Sequence, residues 1–175
     1  MLLIILSPLF IIISLIVFLS DGFPIFFTQN RKGYMNSNFN LIKFRTMKKH
    51  TPTVATHLID NPNQYYINFG RLLRKLSLDE LPQLMNLVKG EMSFVGPRPA
   101  LFNQHDLITL RKKNNIHHLK PGITGWAQIN GRDELNIVDK VKADTYYKNN
   151  KSFYLDVKII FFTVIYIFTG KGVSH

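Results

Sequence analysis

The 175-residue chain has no cysteine, which removes disulfides, thiolate metal sites and a thiol nucleophile together. It is poor in acid: 11 Asp and Glu stand against 22 Lys and Arg, a formal net charge of +11. Tryptophan occurs once, and charge of either sign is missing from the first 20 residues, MLLIILSPLFIIISLIVFLS. What is present narrows the class. Apolar residues make up 46% of the chain, too many for a disordered polymer. The length fits one domain with a core of its own. The basic excess calls for an anionic partner, which leaves nucleic acid, an anionic membrane surface or phosphorylated substrates. A mean hydropathy of +0.01 is high for so basic a chain, so the apolar residues must be concentrated.

They are concentrated at the ends. Residues 1–20 lack the basic start and small-residue cleavage site of a secretory signal. As a straight helix they would reach roughly 30 Å, just enough to span a bilayer. Pro8 interrupts them, because its ring clashes with the carbonyl of Ile4 and removes a hydrogen bond. Ser7 can supply a hydroxyl to the freed backbone. Spanning and re-entrant helices are both open readings, and the downstream Lys and Arg place the rest of the chain on the cytoplasmic side. At the other end, Ile159 to Phe168 is apolar but only about 15 Å long as a helix, which suits a core or an interface.

Between these ends, Asp21-Gly22-Phe23-Pro24 reads as a turn. Ile25 to Gln29 and Phe39 to Met47 read as the strands of a β-hairpin. Alternation along the second strand puts Lys43 and Arg45 on one face, where they could form part of a phosphate clamp. Residues 48–66 carry Pro52 and Pro62 and read as a loop. Helical segments are expected over Phe69 to Val88, Leu101 to Lys113, Asn136 to Asn149 and Tyr154 to Thr169, with a Gly-rich loop over Lys120 to Arg132.

Three stretches could carry chemistry. In Arg74-Lys75-Leu76-Ser77-Leu78-Asp79-Glu80-Leu81-Pro82, Ser77 and Glu80 have the spacing of a capping box, although Pro82 falls late for a helix start. Either way, two adjacent carboxylates sit near a helix start. Neighbouring side chains on a helix diverge by about 100°, so one carboxylate can serve as nucleophile and the other as ligand of a hard cation such as Mg²⁺. In Val95-Gly96-Pro97-Arg98-Pro99 the flanking prolines stiffen the backbone of Arg98, which orients a guanidinium suited to bidentate phosphate binding; the alternative is a rigid surface turn. In Lys120 to Arg132, three glycines allow close approach, and Gln128, Asn130 and Arg132 would point one way in an extended stretch, as a nucleotide cradle could. That stretch lacks the ending of a P-loop and the spacing of a dinucleotide fingerprint. His117-His118 lacks metal-ligand spacing.

Taken together, LRKLSLDELPQLMNLVKGEMSFVGPRP, LKPGITGWAQINGR and DTYYKNNKSFYLDVKII resemble the bacterial sugar transferase family, the small monotopic phosphoglycosyl transferases. The resemblance runs from about Ile5 to the C-terminus and includes FFTQNR and KFRTM of the hairpin region. It implies an α+β, mainly helical fold, with residues 1–20 as a re-entrant membrane helix broken at Ser7 and Pro8. Residues 21–175 would form a membrane-associated catalytic domain in which a β-hairpin and amphipathic interfacial helices surround one active site. The family's catalytic pair falls on Asp79 and Glu80. The implied reaction transfers sugar-1-phosphate from a UDP-sugar to polyprenyl phosphate through an aspartyl-phosphosugar on Asp79, with release of UMP and with Glu80 on Mg²⁺. Arg98, Arg74 and Arg45 match phosphate-binding positions, with Lys43, Gln128, Asn130 and Arg132 as further substrate contacts. The implied location is the cytoplasmic face of a bacterial inner membrane, at the first membrane step of capsule, lipopolysaccharide or protein-glycan assembly. Membrane lipids and downstream glycosyltransferases are then the expected neighbours, and nucleic acid is not. Only six residues precede Ser7, so an upstream start or a shortened anchor is expected; and Lys151 stands where the family often has an aromatic residue. The competing readings are a membrane-tethered nucleic-acid-binding module, supported by charge alone, and a polyprenyl-phosphate-binding scaffold without catalysis.

Overall fold

The computed structural model describes residues 2–52, 60–131 and 135–169. Over these residues the protein is α+β and mainly helical, with four short strands. They fall into two compact units, drawn from Met1–Thr28 with Ile42–Leu84 and from Gln29–Leu41 with Met85–Ser174.

The first unit opens with α1 (Leu2–Ile5) and α2 (Ser7–Asp21). Pro8 lies in the first turn of α2, where a missing N–H leaves no bond unmade. The Ser7 hydroxyl donates to the Ile4 carbonyl at 2.7 Å. Ser7 and Pro8 thus divide the apolar stretch into two helices. No helix among the described residues is long and apolar enough to cross a membrane. α2 ends at Gly22, whose amide reaches the Phe18 carbonyl at 2.7 Å and whose backbone (φ 65°, ψ −159°) is open only to glycine. Ile13 and Val17, one turn apart, bury against Phe44, Ile67 and Leu73. Ile11, Ile12, Leu15 and Leu19 point outward, so an apolar helix buries only one stripe.

β1 (Phe26–Lys32) pairs with β2 (Asn38–Phe44) through a short turn at Tyr34–Asn36. β2 stops at Phe44, so Arg45 lies beyond the strand and the expected alternation does not reach it. Farther on, the helix expected over Phe69 to Val88 is broken into α3 (Gly70–Lys75), a 3₁₀ turn at Leu78–Glu80 and α4 (Gln83–Val88). The break lies at Ser77, which takes a left-handed backbone (φ 53°, ψ 20°).

The second unit holds a parallel pair, β3 (Ser93–Val95) and β4 (Gly122–Thr124), with Ser93 opposite Gly122 and Val95 opposite Thr124. A Cβ on Gly122 would collide with the Gly96 amide, so this close approach requires glycine. Around the pair stand α5 (His105–Lys113), α6 (Trp126–Ile129), α7 (Ile137–Asn150) and α8 (Phe153–Thr169). Asn136 caps α7 by accepting from the Asp139 amide at 2.9 Å. Part of the expected loop over Lys120 to Arg132 is therefore strand and helix, and Arg132 lies outside the described residues.

α8 has two apolar faces. Leu155 and Ile159 join Val95 and Tyr147 in the core, and the Thr163 and Thr124 hydroxyls meet at 2.6 Å. On the other side Phe153 is 86% exposed, followed by Val157, Phe161 and Val164. Ile159→Ala is expected to lower stability by about 2–5 kcal/mol through a core cavity. Phe153→Ser on the same helix is expected to cost under about 0.5 kcal/mol. Urea unfolding in mild detergent measures both, and equal losses would show that the two faces are misassigned.

Candidate active site

The turn that follows α3 gathers the acidic pair. Leu76 and Ser77 close α3 by donating their amides to the Leu72 and Arg74 carbonyls, each at 3.0 Å. The left-handed Ser77 then redirects the chain, and its carbonyl accepts from the Glu80 amide at 3.2 Å. Its hydroxyl makes no capping bond, so the capping box read from Ser77 and Glu80 is corrected: Ser77 acts through its backbone. In a 3₁₀ turn residues three apart eclipse, so Leu78 and Leu81 fall on one side, and both pack on the Ile13–Val17–Phe44 core. Between them, Asp79 is 6% exposed. The fully buried Pro82 then leads into α4, which begins one residue later.

Lys43, next to last in β2, brings its ammonium to 2.7 Å from Glu80 Oε1, and both side chains are largely buried. Arg74, in the last turn of α3, donates from Nε to the Thr46 hydroxyl at 3.0 Å and from Nη1 to the Tyr66 hydroxyl at 3.3 Å. Its guanidinium lies 5.4 Å from the centre of the Tyr66 ring, within cation–π range. Of these two partners, Thr46 has a sequence signal in the KFRTM run, whereas Tyr66 has none.

Arg45 has other partners. It is buried, with Nη1 2.9 Å from the Asp21 carboxylate and Nη2 donating to the Asp21 and Gly22 carbonyls at 3.0 and 2.6 Å. A cation on the carbonyls that end a helix satisfies acceptors the helix cannot and complements its dipole. Lys43 and Arg45 are thus taken apart, one to Glu80 and one to the end of α2.

In the second unit Arg98 is half-buried, with its carbonyl bound by Arg111 Nη1 at 2.8 Å. Gln128 lies within α6 and Asn130 just beyond it, so the extended alternation expected for them is corrected: positions two apart on a helix diverge by about 200°. Asn130 is exposed, its amide donating to the Trp126 carbonyl at 2.8 Å. Both amide atoms of Gln128 are buried without a hydrogen-bond partner among the described residues, the situation of a group that calls for a water or ligand atom.

Among the described residues no group of three or more His, Asp or Glu is arranged to hold a metal. Asp79 and Glu80 offer two carboxylates. That is too few for an all-protein cage but fits Mg²⁺, which uses one or two carboxylates together with substrate phosphates and water.

Replacing Arg45 by Met removes the bonds at the end of α2 and is expected to cost about 1.5–3 kcal/mol, the range for hydrogen bonds to a charged group. Thermal unfolding against the parent chain checks this. Undiminished stability would show that these bonds do not secure the end of α2.

The family model described as bacterial sugar transferase matches residues 1–170. The chain is 44% identical to the "Uncharacterized sugar transferase EpsL" of Bacillus subtilis (strain 168), over 91% of this chain and 78% of that protein. It is 37% identical to the "Exopolysaccharide production protein ExoY" of Sinorhizobium fredii, over 97% of this chain and 81% of that one. It is 39% identical to the "UDP-glucose:undecaprenyl-phosphate glucose-1-phosphate transferase" of Escherichia coli (strain K12), over 98% of this chain but 39% of that longer protein. With its Asp79-Glu80 turn, its Pro97-Arg98-Pro99 segment and a match along nearly its whole length, the chain belongs to the bacterial sugar transferase family.

Proposed function

We propose that this protein is a phosphoglycosyl transferase that moves sugar-1-phosphate from a UDP-sugar to polyprenyl phosphate, in the synthesis of a surface or secreted polysaccharide. The observation that carries this reading is the acidic pair itself: Asp79 buried in the turn that Leu78 and Leu81 anchor, beside a Glu80 held at 2.7 Å by Lys43. A carboxylate fixed in that way does not have to be ordered when it attacks.

Asp79 Oδ attacks the β-phosphorus of the UDP-sugar. The bond from that phosphorus to the bridging oxygen breaks, its electron pair leaves on UMP, and an acyl phosphate carrying the sugar remains on Asp79. An oxygen of polyprenyl phosphate then attacks the same phosphorus, and the Asp79 carboxylate departs unchanged. The covalent intermediate lets a soluble donor and a lipid acceptor use one carboxylate in turn. Glu80, with Asp79 beside it, is suited to hold Mg²⁺, which when bound neutralises charge on the diphosphate. Lys43, Arg74 and Arg98 supply cations for a reaction that moves negative charge, and Gln128, Asn130 and Arg132 remain candidates for the nucleotide.

The protein works at a membrane, on this reading at the cytoplasmic face of a bacterial inner membrane, with α1 and α2 as a re-entrant anchor. The outward apolar residues of α2 and the exposed face of α8 support that placement. So does a net charge of +11 opposite anionic lipid headgroups.

UMP release from a panel of UDP-sugars, with polyprenyl phosphate and Mg²⁺, tests the reading. Asp79→Asn is expected to lower turnover by at least about 10³-fold, as loss of a nucleophile does. Withholding the lipid acceptor should leave a sugar-phosphate adduct on the peptide that contains Asp79, visible by mass spectrometry. Full turnover by Asp79→Asn would remove the nucleophile assignment, and inactivity across the whole panel would remove the function.

A further inference from the structure

The segment that carries Arg98 is held by its carbonyls, one residue after another. Pro97 O accepts from the Gly122 amide at 3.0 Å and Arg98 O from Arg111 Nη1 at 2.8 Å. Pro99 O accepts from Arg31 Nη1 at 2.9 Å and Ala100 O from the Lys32 amide at 2.9 Å. Two of these four residues are prolines with no N–H to give, so acceptors are the main means of tying the segment down. The bond to Arg98's own carbonyl comes from a side chain, and that side chain is itself fixed. Arg111 on α5 directs Nε and Nη2 to Asp144 Oδ2 at 2.9 and 2.7 Å. Asp144, on α7, is 2% exposed.

As a device for stability this is a poor choice. A buried ion pair is often no better than apolar residues of similar volume, because desolvation offsets the attraction. The cost is visible at Asp144: burial pushes its carboxyl up from the ordinary range, and Arg111 only partly opposes the shift. What the pair does supply is direction. A guanidinium held on two of its nitrogens by a buried carboxylate has its third nitrogen aimed, and here that nitrogen ends on the backbone of Arg98. A lysine in the same place lacks the planar fork that holds the carboxylate with two donors while a third is aimed at the carbonyl.

We infer that Arg111 and Asp144 are positioning residues for Arg98, fixing the backbone from which its guanidinium meets a phosphate of the substrate. This rests on the phosphate-binding role proposed for Arg98. The test is a double-mutant cycle on the full chain, read as kcat and KM for the UDP-sugar, with the unfolding midpoint of each variant recorded. Arg98→Ala alone is expected to lower kcat/KM by about 100-fold or more, and Arg111→Lys alone to lower kcat by about 10-fold. In the Arg98→Ala background, Arg111→Lys should then add less than about twofold, because its effect passes through a side chain that is gone. Asp144→Asn should behave in the same way and decides the matter if Arg111→Lys does not fold. Losses that multiply in full overturn the positioning role while leaving Arg98 as a phosphate ligand. Undiminished activity of Arg98→Ala overturns that ligand role and the inference together. Failure of both Arg111→Lys and Asp144→Asn to fold would make the pair a scaffold and also end the proposal.

Discussion

The first unit depends on one backbone reversal. Ser77 takes a left-handed conformation, which costs a non-glycine residue roughly 1 kcal/mol. In return the chain leaves α3 in a new direction and closes a single 3₁₀ turn before α4 begins. That turn eclipses Leu78 with Leu81, so both reach the apolar core that Ile13, Val17 and Phe44 have built. Full burial of a leucine is worth about 1.5–3 kcal/mol, and these two, partly buried, together suffice to offset the backbone cost. The two carboxylates lie on a turn anchored by these apolar contacts, and Glu80 is tied to Lys43 as well. A continuous helix over the same residues would have spread Leu78 and Leu81 about 60° apart and given Asp79 no comparable hold.

The shortage of acid in the chain gains meaning from where the acids lie. Asp21 answers Arg45, Glu80 answers Lys43, and Asp144 answers Arg111. Two of the pairs tie a cation to a structural duty, at the end of α2 and behind the Pro97-Arg98-Pro99 segment, and the third joins Lys43 to the acidic turn. Cations beyond these pairs leave a strongly basic protein. Among the three partners open at the outset, phosphorylated substrates and an anionic membrane fit the sugar transferase family, whereas nucleic acid has only the charge in its favour. The apolar residues divide in the same way. One stripe of α2 and one face of α8 enter cores, and the opposite faces remain exposed. That division explains how a chain can be basic and hydropathically neutral at once.

Much of this was legible in sequence where the cause is local. Pro8 with Ser7 marks a helix break because proline lacks an N–H and serine carries a hydroxyl within reach of the Ile4 carbonyl. Asn136 marks a helix start because its side chain reaches an amide three residues on. The hairpin follows from two apolar runs around a polar, glycine-containing turn. The misreadings share a different cause. Ser77 and Glu80 have the spacing of a capping box, but the burial of Leu78 and Leu81 overrides it. Gln128 and Asn130 alternate in sequence, yet Trp126 to Ile129 coils into a helix. The tie between Arg45 and the end of α2 has no local signature, because Asp21 is 24 residues away. The pairing of Arg111 with Asp144 leaves no sequence signature, because 33 residues separate them. A pattern within a few residues records local geometry, whereas a contact across the fold leaves no spacing to read.

The two arginines expected on phosphate illustrate two ways of orienting the same group. Arg74 is aimed through its side chain, by the Thr46 and Tyr66 hydroxyls and the Tyr66 ring. Arg98 is fixed through its backbone, by neighbouring prolines and by carbonyls tied to Gly122, Arg111, Arg31 and Lys32. The first arrangement leaves part of the guanidinium committed to protein and sets its angle. The second sets where the side chain starts, because four successive carbonyls are tied down and two prolines fix their own φ. A side chain aimed by its own hydrogen bonds loses its angle when one partner is removed, whereas one placed through its backbone depends on contacts spread over several elements.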